Sequence, residues 1–196
     1  MIPKSDIARW RLEAPWNSYE QVEQDLLISR VLVELFQDDF ISENLAFRGG
    51  TALHKLYLNP APRYSEDIDL VQIKPAGIGD IMKRIRSLIT FFGEDRKTQI
   101  GGHGAKIWYS CQSEFDNFPI KIKLEINGKE YFNVLGLKKF SFDVKNNWFS
   151  GSAEILTYHL SELLGSKLRA LYQRKKGRDL FDLFFASKKR NFTLTK

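Results

Sequence analysis

Asp67 and Asp69 stand two residues apart, with Ile68 and Leu70 alternating beside them. In a strand, residues i and i+2 project from the same face, so the two carboxylates lie side by side while the apolar pair faces a core. Two adjacent like charges require a cation, and carboxylate oxygens suit a hard ion, magnesium or else manganese. Upstream, Gly49-Gly50-Thr51 opens an expected helix. Such a turn leaves backbone N–H groups exposed to wrap a phosphate at the helix N-terminus. Together these residues predict a metal-dependent nucleotide site.

The order Gly49-Gly50-Thr51, Arg63, Ser65, Asp67 and Asp69 resembles the opening motif of the nucleotidyltransferases related to DNA polymerase beta. The closest resemblance is to the AbiEii/AbiGii branch, toxin partners of bacterial toxin-antitoxin and phage-abortive systems that include the MenT-type toxins. Sixteen residues separate Gly50 from Asp67, more than in compact members of the superfamily. The resemblance implies an α+β fold: a polymerase-beta-like core with a mixed β-sheet, flanking helices and a helical C-terminal section. It also implies that Asp67 and Asp69 hold the metal, that Gly49, Gly50, Thr51, Arg63 and Ser65 surround a nucleoside triphosphate, and that a nucleoside monophosphate passes to an acceptor hydroxyl. The acceptor it implies is RNA, with the 3′ end of tRNA first, and a cognate antitoxin would be a protein partner.

Ile120 to Asn127 reads as a second strand. Ile120, Ile122, Leu124 and Ile126 form its apolar face, so Lys121, Lys123, Glu125 and Asn127 share the other. On local pattern alone Glu125 is either an ion pair on a solvated face or a working acid. The segment KLEIN resembles the position of the family's third acid, which makes Glu125 a metal ligand or the group that activates the incoming hydroxyl.

A helix from Ser161, taken as its cap, through Arg174 aligns Leu160, Leu163, Leu164 and Leu171 in one stripe, and Lys167 falls in the middle of it. A lysine there either snorkels to water or faces the cleft, where it meets phosphate or the acidic site. Gly177 breaks this helix and Arg178-Asp179 opens the next. Asp179 and Asp182 have an ordinary role in a first helical turn. The whole run SKLRALYQRKKGRDLFDL resembles the family's later motif, which assigns Lys167 and Asp179 to the catalytic set and Lys167 to the triphosphate. Asp182 points further round its helix and reads as an ion-pairing or structural acid.

The elements that must position these groups follow from periodicity. SYEQ from Ser18 fits a capping box ahead of an amphipathic helix carrying Val22, Leu26, Ile28, Val31, Leu32 and Leu35. Its VEQDLL segment resembles an early acidic helix motif of the branch, with Gln24 in place of a lysine. Leu45 to Phe47 reads as a strand before the glycine turn. After a loop at Pro75, Gly77 and Gly79, Ile78, Ile81, Met82, Ile85, Leu88, Ile89 and Phe92 recur at helical spacing. His103, in the turn Gly101-Gly102-His103-Gly104, reads as exposed and idle. Residues 1–150 form the expected nucleotidyltransferase core with its N-terminal helix, and residues 151–196 a helical section packing on it. The resemblance runs from about Val22 to Leu183.

With 196 residues, 43% of them hydrophobic, the chain is long enough to bury a real core. Cys111 is its single cysteine, so an internal disulfide is impossible and a reducing cytoplasm is the expected location. MIPKSDIARW lacks the apolar run of a signal peptide, and no stretch approaches the roughly 20 apolar residues of a membrane span. The net charge of +6, with basic clusters at 83–86, 121–123, 174–178 and 188–190, suits attraction of triphosphates or nucleic acid as well as plain solvation. Two other readings stay open: a nucleotidyltransferase acting on a protein or a small molecule such as an aminoglycoside, and a nucleotide- or RNA-binding relative without turnover.

Overall fold

The structure, a computed structural model, describes residues 2–188 apart from 59, 76, 94, 95, 117, 118 and 131. Lys189 and Arg190 of the expected basic tail lie outside the described residues. Helix α1 (Lys4–Trp10) leads to α2 (Tyr19–Phe36). Ser18 caps α2 as SYEQ predicts, its Oγ accepting from the Gln21 N–H at 3.3 Å. Besides its apolar stripe, α2 buries Glu23 and Asp25. Asp25 accepts from Trp10 Nε1 at 2.9 Å and Lys55 Nζ at 3.0 Å, and Glu23 accepts from Ser113 Oγ at 2.9 Å. The acids of VEQDLL thus tie α2 to its neighbours, which offsets the cost of burying their charge.

Helix α3 (Asp39–Asn44) precedes β1 (Leu45–Arg48) and the short α4 (Gly49–Ala52). The chain then widens by one residue: the Leu58 N–H donates to the Leu53 carbonyl, five residues back, at 2.9 Å. There follow β2 (Asp67–Gln72), α5 (Ile78–Leu88), β3 (Arg96–Gly101), β4 (Gly104–Gln112), β5 (Pro119–Asn127), β6 (Leu137–Lys145), β7 (Ser150–Tyr158), α6 (Leu160–Arg174) and α7 (Gly177–Ser187). Three boundaries differ from the sequence reading. Helix α5 ends at Leu88, although Ile89 and Phe92 beyond it remain buried. Helix α6 begins at Leu160 with His159 as its cap, the ring accepting from the Ser161 N–H at 3.3 Å, so Ser161 is not the cap. It is ended by Lys175, in the left-handed region at φ 53°, and Gly177 is the first residue of α7 rather than the break between the helices.

Among the described residues seven strands form one sheet in the order β3-β4-β5-β2-β1-β7-β6. It is mixed: β2 runs parallel to β5 and β1 parallel to β7, while the other neighbours are antiparallel. Strand β7 belongs to this sheet, so residues past 150 begin with a core strand and the helices follow it. The protein is an α+β fold.

Period-2 alternation decides what each face of the sheet does. Leu45 and Phe47 of β1, Ile68 and Leu70 of β2, and Ile120, Ile122, Leu124 and Ile126 of β5 enter one core with α2 and α5. Each such side chain contributes roughly 1.5–3 kcal/mol of burial. On the opposite face a smaller cluster of Ala46, Val71, Tyr158 and Leu163 seats the start of α6. A third, Leu53, Leu58, Leu164 and Ala186, holds α6 and α7 against the segment after α4. The β2–β5 part of that face carries charge instead, and α6 stands beside it.

Candidate active site

Strand register builds the site. Asp69 pairs with Glu125 across the parallel β2–β5 ladder and with Arg48 across β1–β2, and Glu125 pairs with Lys106 across β4–β5. Directly paired residues project from one face, so Lys106, Glu125, Asp69 and Arg48 form a row across four strands. Asp67 and Lys123 pair in the row beside it. Burial and then the neighbouring charges of Asp67 and Glu125 push the Asp69 carboxyl up to about 6. The row is therefore short of positive charge at Asp69.

Lysines already balance the rest. Lys123 Nζ lies 3.2 Å from Asp67 Oδ1 and 3.4 Å from Glu125 Oε2, and Lys106 Nζ lies 3.2 Å from Glu125 Oε1. Burial alone would raise Glu125, but Lys106 and Lys123 outweigh it and hold its carboxyl below the usual range. Among the described residues no three His, Cys, Asp or Glu side chains converge on a ready metal position, and the Lys123 ammonium stands between Asp67 and Glu125. Asp67 and Asp69 nevertheless fit a hard divalent ion: they are oxygen donors on one face, and the raised Asp69 marks where positive charge is lacking.

The glycine turn meets this row from β1. Gly49 has φ +84°, and a Cβ there would fall 2.1 Å from Asp69 Oδ2. Both backbone conformation and space therefore demand glycine. At Gly50 a Cβ would meet only side-chain ends, Ser65 Oγ at 3.1 Å, Arg63 Nη2 at 3.2 Å and Lys167 Nζ at 3.3 Å. Gly49→Ala is expected to cost more than about 1 kcal/mol and to displace Asp69, whereas Gly50→Ala leaves the fold largely intact. Thermal unfolding of the two variants side by side checks this; equal melting temperatures would show that Asp69 is not pinned by the turn. Thr51 is buried, and its hydroxyl donates to the Asp67 carbonyl at 2.5 Å while receiving from Ser65 Oγ at 2.9 Å. It fastens the turn to β2 and spends its hydroxyl there.

The C-terminal helices close the other side. Lys167 is 8% exposed, so it does not snorkel. Its Nζ lies 2.8 Å from Asp182 Oδ2 and 3.4 Å from Asp179 Oδ1. Asp182, fully buried, also accepts both forks of Arg63 at 2.7 Å and contacts His54 Nε2 at 3.0 Å. Burial would raise its carboxyl, but hydrogen bonds from His54, Arg63 and Lys167 hold it far below the usual aspartate range. Burial likewise lowers His54 and keeps it neutral, against the pull of Asp182. Asp179 is equally buried and is held by Arg174 at 3.2 Å and by Lys167.

A cavity of about 700 Å³ lies between the charged face and α6. Gly49, Gly50, Arg63, Ser65, Asp67, Asp69, Glu125 and Lys167 all reach its wall, so eight of the expected residues converge; Thr51 and Asp179 stand behind it. Arg48, Lys123 and Glu130 also line it and were not singled out as site residues from the sequence. Glu130 bridges Arg48 at 3.0 Å and Arg169 at 2.8 Å. Lys123 carried a readable signal, since it alternates with Glu125 on the polar face of β5. Nothing local marked His54 or Glu130. His103 is exposed at the β3–β4 turn, away from the cavity wall. Cys111 is a free, half-buried thiol that burial pushes up to about 11.

The sequence profile of the family described as nucleotidyl transferase AbiEii toxin, type IV TA system, matches residues 30–196. The chain belongs to the AbiEii nucleotidyltransferase toxin family. MenT4, a nucleotidyltransferase toxin from Mycobacterium tuberculosis H37Rv, superposes with a TM-score of 0.68 at 21% identity, covering 97% of this chain and 66% of that one. JHP933 from Helicobacter pylori gives 0.60 at 20% identity over 88% and 68%. An antigenic nucleotidyltransferase-like protein from Paracoccidioides brasiliensis gives 0.54 at 17% over 81% and 74%. These structures share the fold. No curated protein matches the sequence. As an AbiEii member the chain is a nucleotidyltransferase of the toxin class, and eight of the ten residues that carried the family resemblance reach the cavity. Among the described residues no helix is long and apolar enough to cross a membrane.

Proposed function

We propose that this AbiEii protein transfers a nucleoside monophosphate from an NTP to a hydroxyl of RNA, with the 3′ end of tRNA as acceptor, in a divalent-metal-dependent reaction restrained by a cognate antitoxin in the cytoplasm. The observation that carries the reading is the paired carboxylates of Asp67 and Asp69 lining one cavity together with the Gly49-Gly50 turn, which packs directly against Asp69, with Asp69 raised to about 6. Asp67 and Asp69 would hold the metal, magnesium or manganese. Such an ion supplies charge neutralisation at the triphosphate. Gly49 and Gly50 let backbone approach the phosphates, and Arg63 and Ser65 stand at the same wall. Lys167, fixed by Asp179 and Asp182, presents its ammonium beside Gly50. The acceptor oxygen attacks the α-phosphorus, its proton passes to water in the cavity, and the bond to pyrophosphate breaks; positioning and charge neutralisation supply most of the rate. Glu125, held ionised by two lysines, is a poor base. Its part is to orient Lys123, or to join the metal once that ammonium moves. Asp179 acts through Lys167 and Arg174 rather than by touching the nucleotide.

Incubation with each α-labelled NTP and total cellular RNA tests the reading. Label moving into tRNA supports it. Label in the protein fraction or an aminoglycoside instead would assign a different acceptor, and NTP binding without pyrophosphate release would make the chain a binding relative. Lys167→Met should lower NTP affinity or turnover about tenfold, the effect of one lost charge-assisted contact. Because Lys167 also balances two buried aspartates, the same change should reduce stability by about 1–3 kcal/mol, which unfolding in urea will read. Parental transfer rates in the folded variant would remove Lys167 from the nucleotide.

A further inference from the structure

The loop between β5 and β6 carries Phe132, 73% exposed, on the rim of the cavity that holds Asp67, Asp69 and Glu125. Val134 and Leu135 of the same loop are exposed as well, and an exposed apolar side chain is by itself ordinary. Phe132 differs in how its surroundings are held. On one side Glu130 is clamped by Arg48 and Arg169, and its N–H donates to Asn127 Oδ1 at 3.0 Å. On the other, Glu162 of α6 accepts from the Val134 N–H at 2.8 Å and the Leu135 N–H at 3.2 Å. The loop is thus tied to β1, to the end of β5 and to α6 while its aromatic ring is left uncovered on a wall that also carries Asp67, Asp69, Lys123 and Glu125. Core packing does not explain that arrangement, because Phe132 buries little of its ring.

We propose that Phe132 forms a base-stacking subsite, the face on which a nucleobase rests while its phosphates reach the Gly49-Gly50 turn. A ligand that is flat and apolar on its faces, polar at its edges and joined to phosphate matches both the exposed ring and the glycine turn that line the cavity. Aromatic faces accept every base, because each base has a π-face. The base belongs either to the NTP or to the terminal nucleotide of the acceptor RNA, and one experiment separates the two. The inference rests on the nucleotide reading of the cavity.

The test compares parent, Phe132→Ala and Phe132→Trp by calorimetric binding of the four NTPs, of inorganic tripolyphosphate, and of a short RNA oligonucleotide, all with magnesium. If the NTP base stacks, Phe132→Ala weakens NTP binding by roughly tenfold, leaves tripolyphosphate binding unchanged, and Phe132→Trp restores the loss. If the acceptor base stacks, NTP affinities hold while oligonucleotide binding falls by a similar factor and recovers in Phe132→Trp. Unchanged affinity for both NTP and oligonucleotide in Phe132→Ala overturns the subsite while leaving the nucleotide reading intact. A parent protein that binds neither tripolyphosphate nor any NTP overturns the nucleotide reading, and the subsite falls with it.

Discussion

Asp69→Asn yields a folded protein that has lost nucleotidyl transfer by at least about a hundredfold, the scale on which losing a group that stabilises developing charge is felt. In the absence of divalent ions it is also more stable than the parent at neutral pH. Both effects have one cause. Asp69 is half-buried beside Asp67 and Glu125, and its carboxyl is raised from 3.8 to about 6. A carboxyl raised on folding contributes stability that is fully present below its unfolded value and is lost as pH rises through its folded value. The parent therefore loses stability between about pH 4 and 6, whereas asparagine has nothing to ionise. The difference between the two should grow from near zero below pH 4 to on the order of 2 kcal/mol above pH 6, measured by urea unfolding in chelator. Transfer is scored in parallel with a labelled NTP. Parent-level transfer by Asp69→Asn would remove Asp69 from the site, and a pH-independent stability difference would show that its carboxylate is not the strained group.

Asp182→Ala is expected to destabilise the protein by about 3–5 kcal/mol at neutral pH, a large share of the roughly 5–15 kcal/mol that holds an ordinary domain folded. Removing this carboxylate leaves Arg63 and Lys167 facing one another with their common anion gone, and His54 without its partner. The loss is large because Asp182 is fully buried and accepts from three side chains at once. Asp182→Asn keeps the shape and some acceptors and should lose less. The pH dependence runs opposite to that of Asp69. A carboxyl depressed on folding contributes stability present above its ordinary value of 3.8 and lost as pH falls through its lower folded value. The deficit of Asp182→Ala should thus be widest above pH 4 and shrink in stronger acid. Calorimetric melts across that range check it; a variant within about 1 kcal/mol of parent at pH 7 would mean that the cations find water or other acids instead.

Much of this was legible from residue order. The alternation of Asp67-Ile68-Asp69-Leu70 puts both carboxylates on one face whatever surrounds the strand, and the alternation in β5 does the same for Lys123 and Glu125, because side-chain direction in a strand is a local property. Gly49-Gly50 marked a turn, Ser18 a cap, and Lys167 an anomaly in an apolar stripe, each from constraints acting within a turn or two of chain. The assignment of Asp182 to ion pairing came from helix geometry in the same way.

Register is different in kind. That Asp69 stands level with Glu125 rather than one residue away depends on how β2 and β5 pair across more than fifty positions of sequence, and a one-residue slip would turn every side chain of β5 to the other face. The same holds for Lys123: its place on the polar face was local, but its position between Asp67 and Glu125 exists only once the strands are side by side. Lys167 shows the limit most clearly. Its spacing declared it buried or working, yet the carboxylates of Asp179 and Asp182 that make burial tolerable lie on the next helix, and Arg63 and His54, which complete the set, come from the segments between α4 and β2, more than a hundred positions earlier in the sequence. Charges in a low-dielectric interior are balanced by whatever folding brings within a few ångströms, so periodicity named the groups that need partners, and the packing of α6 and α7 against the turn after β1 supplied them.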